Sequence, residues 1–269
     1  MATRANWLES RHDSQSAYRM STASEAVHII LNRLDQVECE RQQRLAVPGL
    51  GARVSAIKSY QQRRFAQTYA DLLRSQRYGA ATRFFLDELY GPTDFTQRDA
   101  QFARVVPALV RMFPEEIVGT VVTLSELHAL SEALDTRMAR HLDATNVTSS
   151  SYVKCWQAAS EPADRADQIR LTVEIAEQLD RLTQKALLRN ALRLMRGPAR
   201  IAGLAELQRF LENGFDTFRA MRGAAEFIAI ITLRERAFAQ AVFSATDVVG
   251  KGKDGDHALE SKLPPDGIA

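Results

Sequence analysis

Cysteine is scarce: two residues in 269, Cys39 and Cys155, far apart in the chain. That excludes a disulfide-stapled fold and a paired-cysteine zinc site, and predicts reduced, structural thiols. Glycine (13) and proline (8) are too few for a collagen-like or low-complexity chain. Apolar runs are short as well. The longest, Phe227 to Leu233, covers about seven residues against the roughly 20 that a membrane helix needs. A net charge of +2 carries no message by itself. Residues 1–21 contain Arg4, Arg11 and Arg19 without the apolar centre of a secretory signal, and Glu9 and Asp13 speak against an organelle transit sequence. The expectation is a cytoplasmic chain that does not enter a membrane. Without a secretory route, the glycosylation-type triplet Asn146-Val147-Thr148 has no meaning.

Several catalytic signatures are missing too. Gly49-Leu50-Gly51 lacks the third glycine and the preceding strand of a dinucleotide site, and no phosphate-binding loop or metalloprotease histidine pair occurs. Ser125 has none of the turn chemistry of a nucleophile elbow. Alternating β-branched runs of strand type are also lacking.

What is present is helical period almost throughout. Thr22 and Glu25 have the spacing of a capping box, followed by Val27, Ile30, Leu31, Leu34 and Val37 at steps of three and four. Val47-Pro48-Gly49 predicts a turn, then a helix with Val54, Ile57, Phe65, Tyr69 and Leu72 on one face, ending near Gly79. A short helix over 80–90 is stopped by Gly91-Pro92. Thr96 caps the next, whose buried line is Phe95, Asp99, Phe102, Val106, Leu109 and Phe113, and Pro107 should kink or split it. Phe113-Pro114-Glu115-Glu116 restarts a helix that can reach Leu142, with proline and acids in the first turn where the helix dipole favours them.

Beyond a Thr/Ser stretch at 148–151, Pro162 opens a long helix to Arg196, ended by Gly197-Pro198. Residues 204–243 supply two or three more, with breaks at Asn213-Gly214 and Gly223. The pattern predicts an all-α protein of seven to nine helices in one or two packed bundles. Residues 1–21 and 244–269 read as disordered polar ends. Residues 22–145 and 146–243 form two halves or one continuous unit.

Three features bear on function. First, the helix after Pro114 has a line Ile117, Val121, Leu124, His128, Ser131, Asp135, Met138, Leu142, with Glu132 beside it. His128, Glu132 and Asp135 lie one turn apart and can face one point. Asp99 breaks the apolar line of the preceding helix in the same way. A histidine with carboxylates can bind a metal or move a proton, but the commoner arrangement is a buried polar network. Glu126-Leu127-His128 is one residue short of the Glu-x-x-His unit of bundle metal sites, so no cofactor is expected and a metal at His128 is the alternative.

Second, residues 41–83 hold nine basic residues against one acid, whereas 84–145 hold ten acids against five arginines. Arg53, Lys58, Arg63, Arg64, Arg74 and Arg77, interleaved with Tyr60, Phe65, Tyr69 and Tyr78, form a candidate polyanion face. Such a face engages nucleic acid or neutralises the acidic segment, within one molecule or between copies. Third, Lys185, Arg189, Arg193 and Arg196 stripe one face of a helix C-terminus, where cations favour the dipole, and Leu188, Leu192 and Met195 line another. Phe227 to Leu233 reads as a buried central helix or a dimer seam, and Arg234, on the line of Phe227, Ile231 and Phe238, needs an acidic partner.

The stretch Arg83-Phe84-Phe85-Leu86-Asp87-Glu88-Leu89-Tyr90-Gly91-Pro92, continuing through Asp94-Phe95 and Arg98-Asp99, together with Phe113-Pro114 and Leu127-His128-Ala129-Leu130-Ser131-Glu132, resembles a family of uncharacterised, mostly proteobacterial helical proteins known only as a domain of unknown function. The resemblance spans residues 25–243. It implies a bacterial cytoplasmic protein and brings no activity, cofactor or catalytic residue with it. The reading that follows is a helical interaction or regulatory protein, self-associating and without catalysis of its own. Its rivals are a metal- or ligand-binding bundle centred on His128, Glu132 and Asp135, and nucleic-acid binding by the basic segment.

Overall fold

A computed structural model describes residues 5–88, 95–245, 259 and 262–266. Among the described residues all regular structure is α-helical. The helices run α1 (Ala5–Ala46), α2 (Leu50–Thr68), α3 (Ala70–Arg74), α4 (Gly79–Glu88), α5 (Thr96–Met112), α6 (Glu115–Arg140), α7 (Ser149–Ala159), α8 (Pro162–Thr183), α9 (Ala186–Leu194), α10 (Arg196–Ile201), α11 (Ala205–Ala220) and α12 (Ala225–Ser244). These are more and shorter helices than the seven to nine expected, chiefly because the segment read as one helix from Pro162 to Arg196 breaks at Gln184-Lys185 and again at Met195. Gly197-Pro198 opens α10 rather than ending a helix, which suits a proline whose missing N–H falls in a first turn.

Local chemistry explains most boundaries. Gly49 adopts φ 74, the left-handed conformation that lets the chain reverse between α1 and α2. Phe113 and Pro114 are extended, and Glu115 and Glu116 open α6 as the dipole favours. Thr148 caps α7 through a reciprocal capping box with Ser151, and Glu161 does the same for α8 with Asp164.

Three positions differ from the sequence pattern. Helix α1 passes through Thr22, so the Thr22–Glu25 spacing marks no helix start. Helix α5 runs unbroken through Pro107. Helix α11 passes through Gly214, where a Cβ would come within 3.0 Å of the Phe84 ring, so this glycine serves close packing on α4. The Gly91-Pro92 stop lies outside the described residues.

Helix α6 is the central element, packed by α1, α2, α5, α7 and α8. It is also long and apolar enough to cross a membrane by length and composition, and its apolar window is partly buried against these neighbours. Ile30, Val106, Val110 and Val118 join α1, α5 and the start of α6. Leu50, Ile57, Met138, Tyr152, Trp156 and Phe238 join α2, the end of α6, α7 and α12, so this core draws on both sides of the 146–151 stretch. Phe65, Phe85, Phe218 and Phe227 join α2, α4, α11 and α12. Part of the segment read as a disordered tail returns to the body. Leu259 and Leu263 are buried in the second core, and Asp266 accepts the Ser149 backbone N–H at 2.7 Å, at the N-terminus of α7.

Candidate functional site

The sequence-predicted cluster on α6 separates into two ion-paired groups. Asp99, from α5, meets His128 but neither α6 carboxylate: Nε2 of His128 lies 2.8 Å from Oδ2, and Arg41 of α1 donates to the same oxygen at 2.5 Å. Glu132 stands between Arg44 of α1 at 2.6 Å and Lys58 of α2 at 2.5 Å. Arg44 also donates to Thr136 Oγ1 and to the Glu132 carbonyl. Asp135 accepts from Gln61 Nε2 at 2.9 Å, with Lys58 at 4.0 Å.

The electrostatics follow from this. Burial works against the charged form of Glu132, but Lys58 and Arg44 outweigh it and hold the carboxyl down at about 2. Burial also opposes ionisation of Asp99, and His128 and Arg41 overcome it, so its pKa is lowered. For Asp135 burial wins and the pKa is raised, offset only in part by Lys58. With each α6-facing carboxylate already neutralised or bonded, the cluster offers a metal no open set of ligands. Among the described residues no group of three or more His, Cys, Asp or Glu side chains is placed to hold one.

The candidate polyanion face is divided among internal partners. Lys58 is bound to Glu132, and Arg53 donates to the Ala139 carbonyl at 3.1 Å. Arg63 lies over the Tyr60 ring. Arg77 donates to the carbonyls of Met221 and Gly223 between α11 and α12. Arg64 is buried. Its guanidinium grips Glu235 of α12 with two bonds, 2.7 and 3.0 Å, and Tyr69 donates to the same carboxylate at 2.5 Å. Arg74 remains exposed. Arg234 finds the acidic partner its position requires in Asp71, also with two bonds of 2.7 Å, and these hold the Asp71 carboxyl at about 2.

The most unusual environment surrounds Arg165 of α8, outside the sequence-predicted clusters. A cavity of about 70 Å³ lies between α2, α4, α7, α8 and α12, lined in part by Gln61, Arg64, Tyr152, Trp156, Arg165 and Glu235. Arg165 is only 2 % exposed, stacks on Trp156 at 3.7 Å, and bonds to Ser160 Oγ, Gln168 Oε1 and the Met138 sulfur, none of them charged. Burial lowers its pKa to about 10, against the smaller pull of Tyr152 and Asp135. Burial likewise raises the Tyr152 hydroxyl. A periodic signal existed: Arg165 and Gln168 extend the stripe Thr172, Ile175, Leu179 on α8, and Gln61 and Arg64 lie in phase with Val54 and Ile57 on α2.

A different kind of surface occurs at α9 and α10. Leu187, Leu194 and Ile201 are 83, 79 and 89 % exposed at seven-residue spacing. The basic stripe predicted here is partly paired: Lys185 to Glu116, Arg189 to Asp216 at 2.8 Å, and Arg196 to Glu212 at 2.5 Å. Arg193 and Arg200 are exposed beside the three apolar side chains.

These features sit in a matched family. The chain belongs to the domain of unknown function family DUF8198, whose model matches residues 40–248, from the end of α1 through α12. No curated protein and no solved structure matches the chain.

Proposed function

We propose that the chain is a helical interaction protein that docks an acidic, amphipathic partner helix on the outer face of α9–α10. The observation that carries this reading is the exposed row Leu187, Leu194 and Ile201 beside Arg193 and Arg200. Large aliphatic side chains left about four-fifths in water on two adjoining short helices mark a contact surface rather than a packing remainder. No acid occurs from Arg181 to Ala205, so the face attracts negative charge. A symmetric contact between two copies would set Arg193 and Arg200 against their own counterparts, which favours a partner carrying acidic residues around an apolar stripe. The carboxylates of the α5–α6 cluster fit the same reading, since Asp99 is paired with Arg41 and Glu132 with Arg44 and Lys58.

Fluorescence anisotropy with two labelled model peptides tests this: a Leu/Glu heptad helix and its Leu/Lys counterpart. The wild type binds the Leu/Glu peptide with an affinity that falls as salt rises, and the double variant Leu187→Ser, Leu194→Ser loses it. Binding to neither peptide, equal binding to both, or an unchanged double variant overturns the proposal. A concentration-dependent dimer abolished by the same substitutions overturns it too, in favour of a second copy as the occupant.

A further inference from the structure

The cavity beside Arg165 is a second site, independent of the docking face. We propose that it binds a small monoanion, a carboxylate or planar oxoanion, held by Arg165, Tyr152 and Trp156. The buried charges around it do not balance. Glu235 is taken by Arg64, and Glu132 and Asp135 share Arg44 and Lys58. Arg165 is left with neutral partners only. A buried cation without an anion is costly, and one negative charge restores neutrality.

The hydrogen-bond inventory points the same way. Three buried groups lining the cavity have no partner: the Tyr152 hydroxyl, the Trp156 indole N–H and the Arg64 Nε–H. Each has a proton to donate, and two of the three cannot accept one, so the missing species is an acceptor. A volume of about 70 Å³ accommodates a molecule of a few heavy atoms, given that one water occupies roughly 10–15 Å³ on this measure. Trp156, with Arg165 stacked on it, forms one wall.

Titration of the full ¹⁵N-labelled chain with sodium acetate, sodium nitrate and sodium bicarbonate, at ionic strength held constant with sodium sulfate, tests the site through the Trp156 indole resonance. The expected result is a saturable shift with at least one of these monoanions. Arg165→Gln should weaken the half-saturation point about tenfold or more, and Tyr152→Phe, which keeps the ring, severalfold. No saturable shift with any of the three overturns the proposal, as does a Tyr152→Phe chain with wild-type affinity. If Arg165→Gln does not fold, the Tyr152→Phe comparison decides alone.

Discussion

Replacing Glu235 by glutamine removes the carboxylate that grips both Nη atoms of Arg64 and accepts from Tyr69. Arg64 is 1 % exposed, so its guanidinium cannot turn to water once the negative charge is gone. Breaking a buried pair from one side costs about 3–5 kcal/mol, because the surviving charge is stranded in a poor solvent. Glutamine keeps one acceptor oxygen, which places the expected loss near the lower end, about 3 kcal/mol. In urea unfolding, with a slope of about 2–3 kcal/mol per molar for a chain of this size, the midpoint falls by about 1–1.5 M. The reasoning also predicts a rescue. Arg64→Met combined with Glu235→Leu removes both charges and fills the space, and recovers most of the loss. A Glu235→Gln loss below about 1 kcal/mol, or a double variant no more stable than the single one, refutes the assignment of this pair as a buried, mutually dependent unit.

Three other outcomes follow from the same structure. His128→Leu costs about 1 kcal/mol in thermal denaturation, because Arg41 still holds Asp99, and a loss above about 3 kcal/mol would contradict that. Glu132 has its folded pKa lowered from 4.5 to about 2, so its contribution, on the order of 3 kcal/mol, is complete above about pH 4.5 and is lost as pH falls toward 2. Glu132→Gln should therefore flatten the acid limb of the stability curve, and an unaltered limb would count against the Arg44–Glu132–Lys58 arrangement. Leu263→Ala costs about 2–4 kcal/mol in thermal denaturation, because the returning segment buries this side chain in the second core, and no effect would contradict that contact.

How far the sequence could be read depends on how local each feature is. The α6 start was legible at Pro114-Glu115-Glu116, where proline geometry and the dipole act within one turn. The polar line of His128, Glu132 and Asp135 was legible as well, because helical period alone puts three polar groups where apolar ones belong. Their partners were not. Arg44 lies 88 residues from Glu132 and Lys58 lies 74, and period on one helix says nothing about which distant cation crosses to it. Charge segregation between 41–83 and 84–145 carried part of that information, and Lys58 with Glu132 is one realised pair. Arg234 predicted its acid, but the deeper acid is its neighbour Glu235. The break at Lys185 carries no glycine or proline at Gln184 to mark it; its only signal is a change of phase, since Leu188, Leu192 and Met195 repeat at helical spacing on a different face from Leu171, Ile175, Leu179 and Leu182 of α8.

The docking face on α9–α10 is tested most directly by amide hydrogen exchange of the chain with and without the Leu/Glu model peptide. The account predicts added protection confined to α9, α10 and the adjoining turn of α11. Protection on α2, around Arg53 and Arg63, or no change anywhere in the chain, would contradict it.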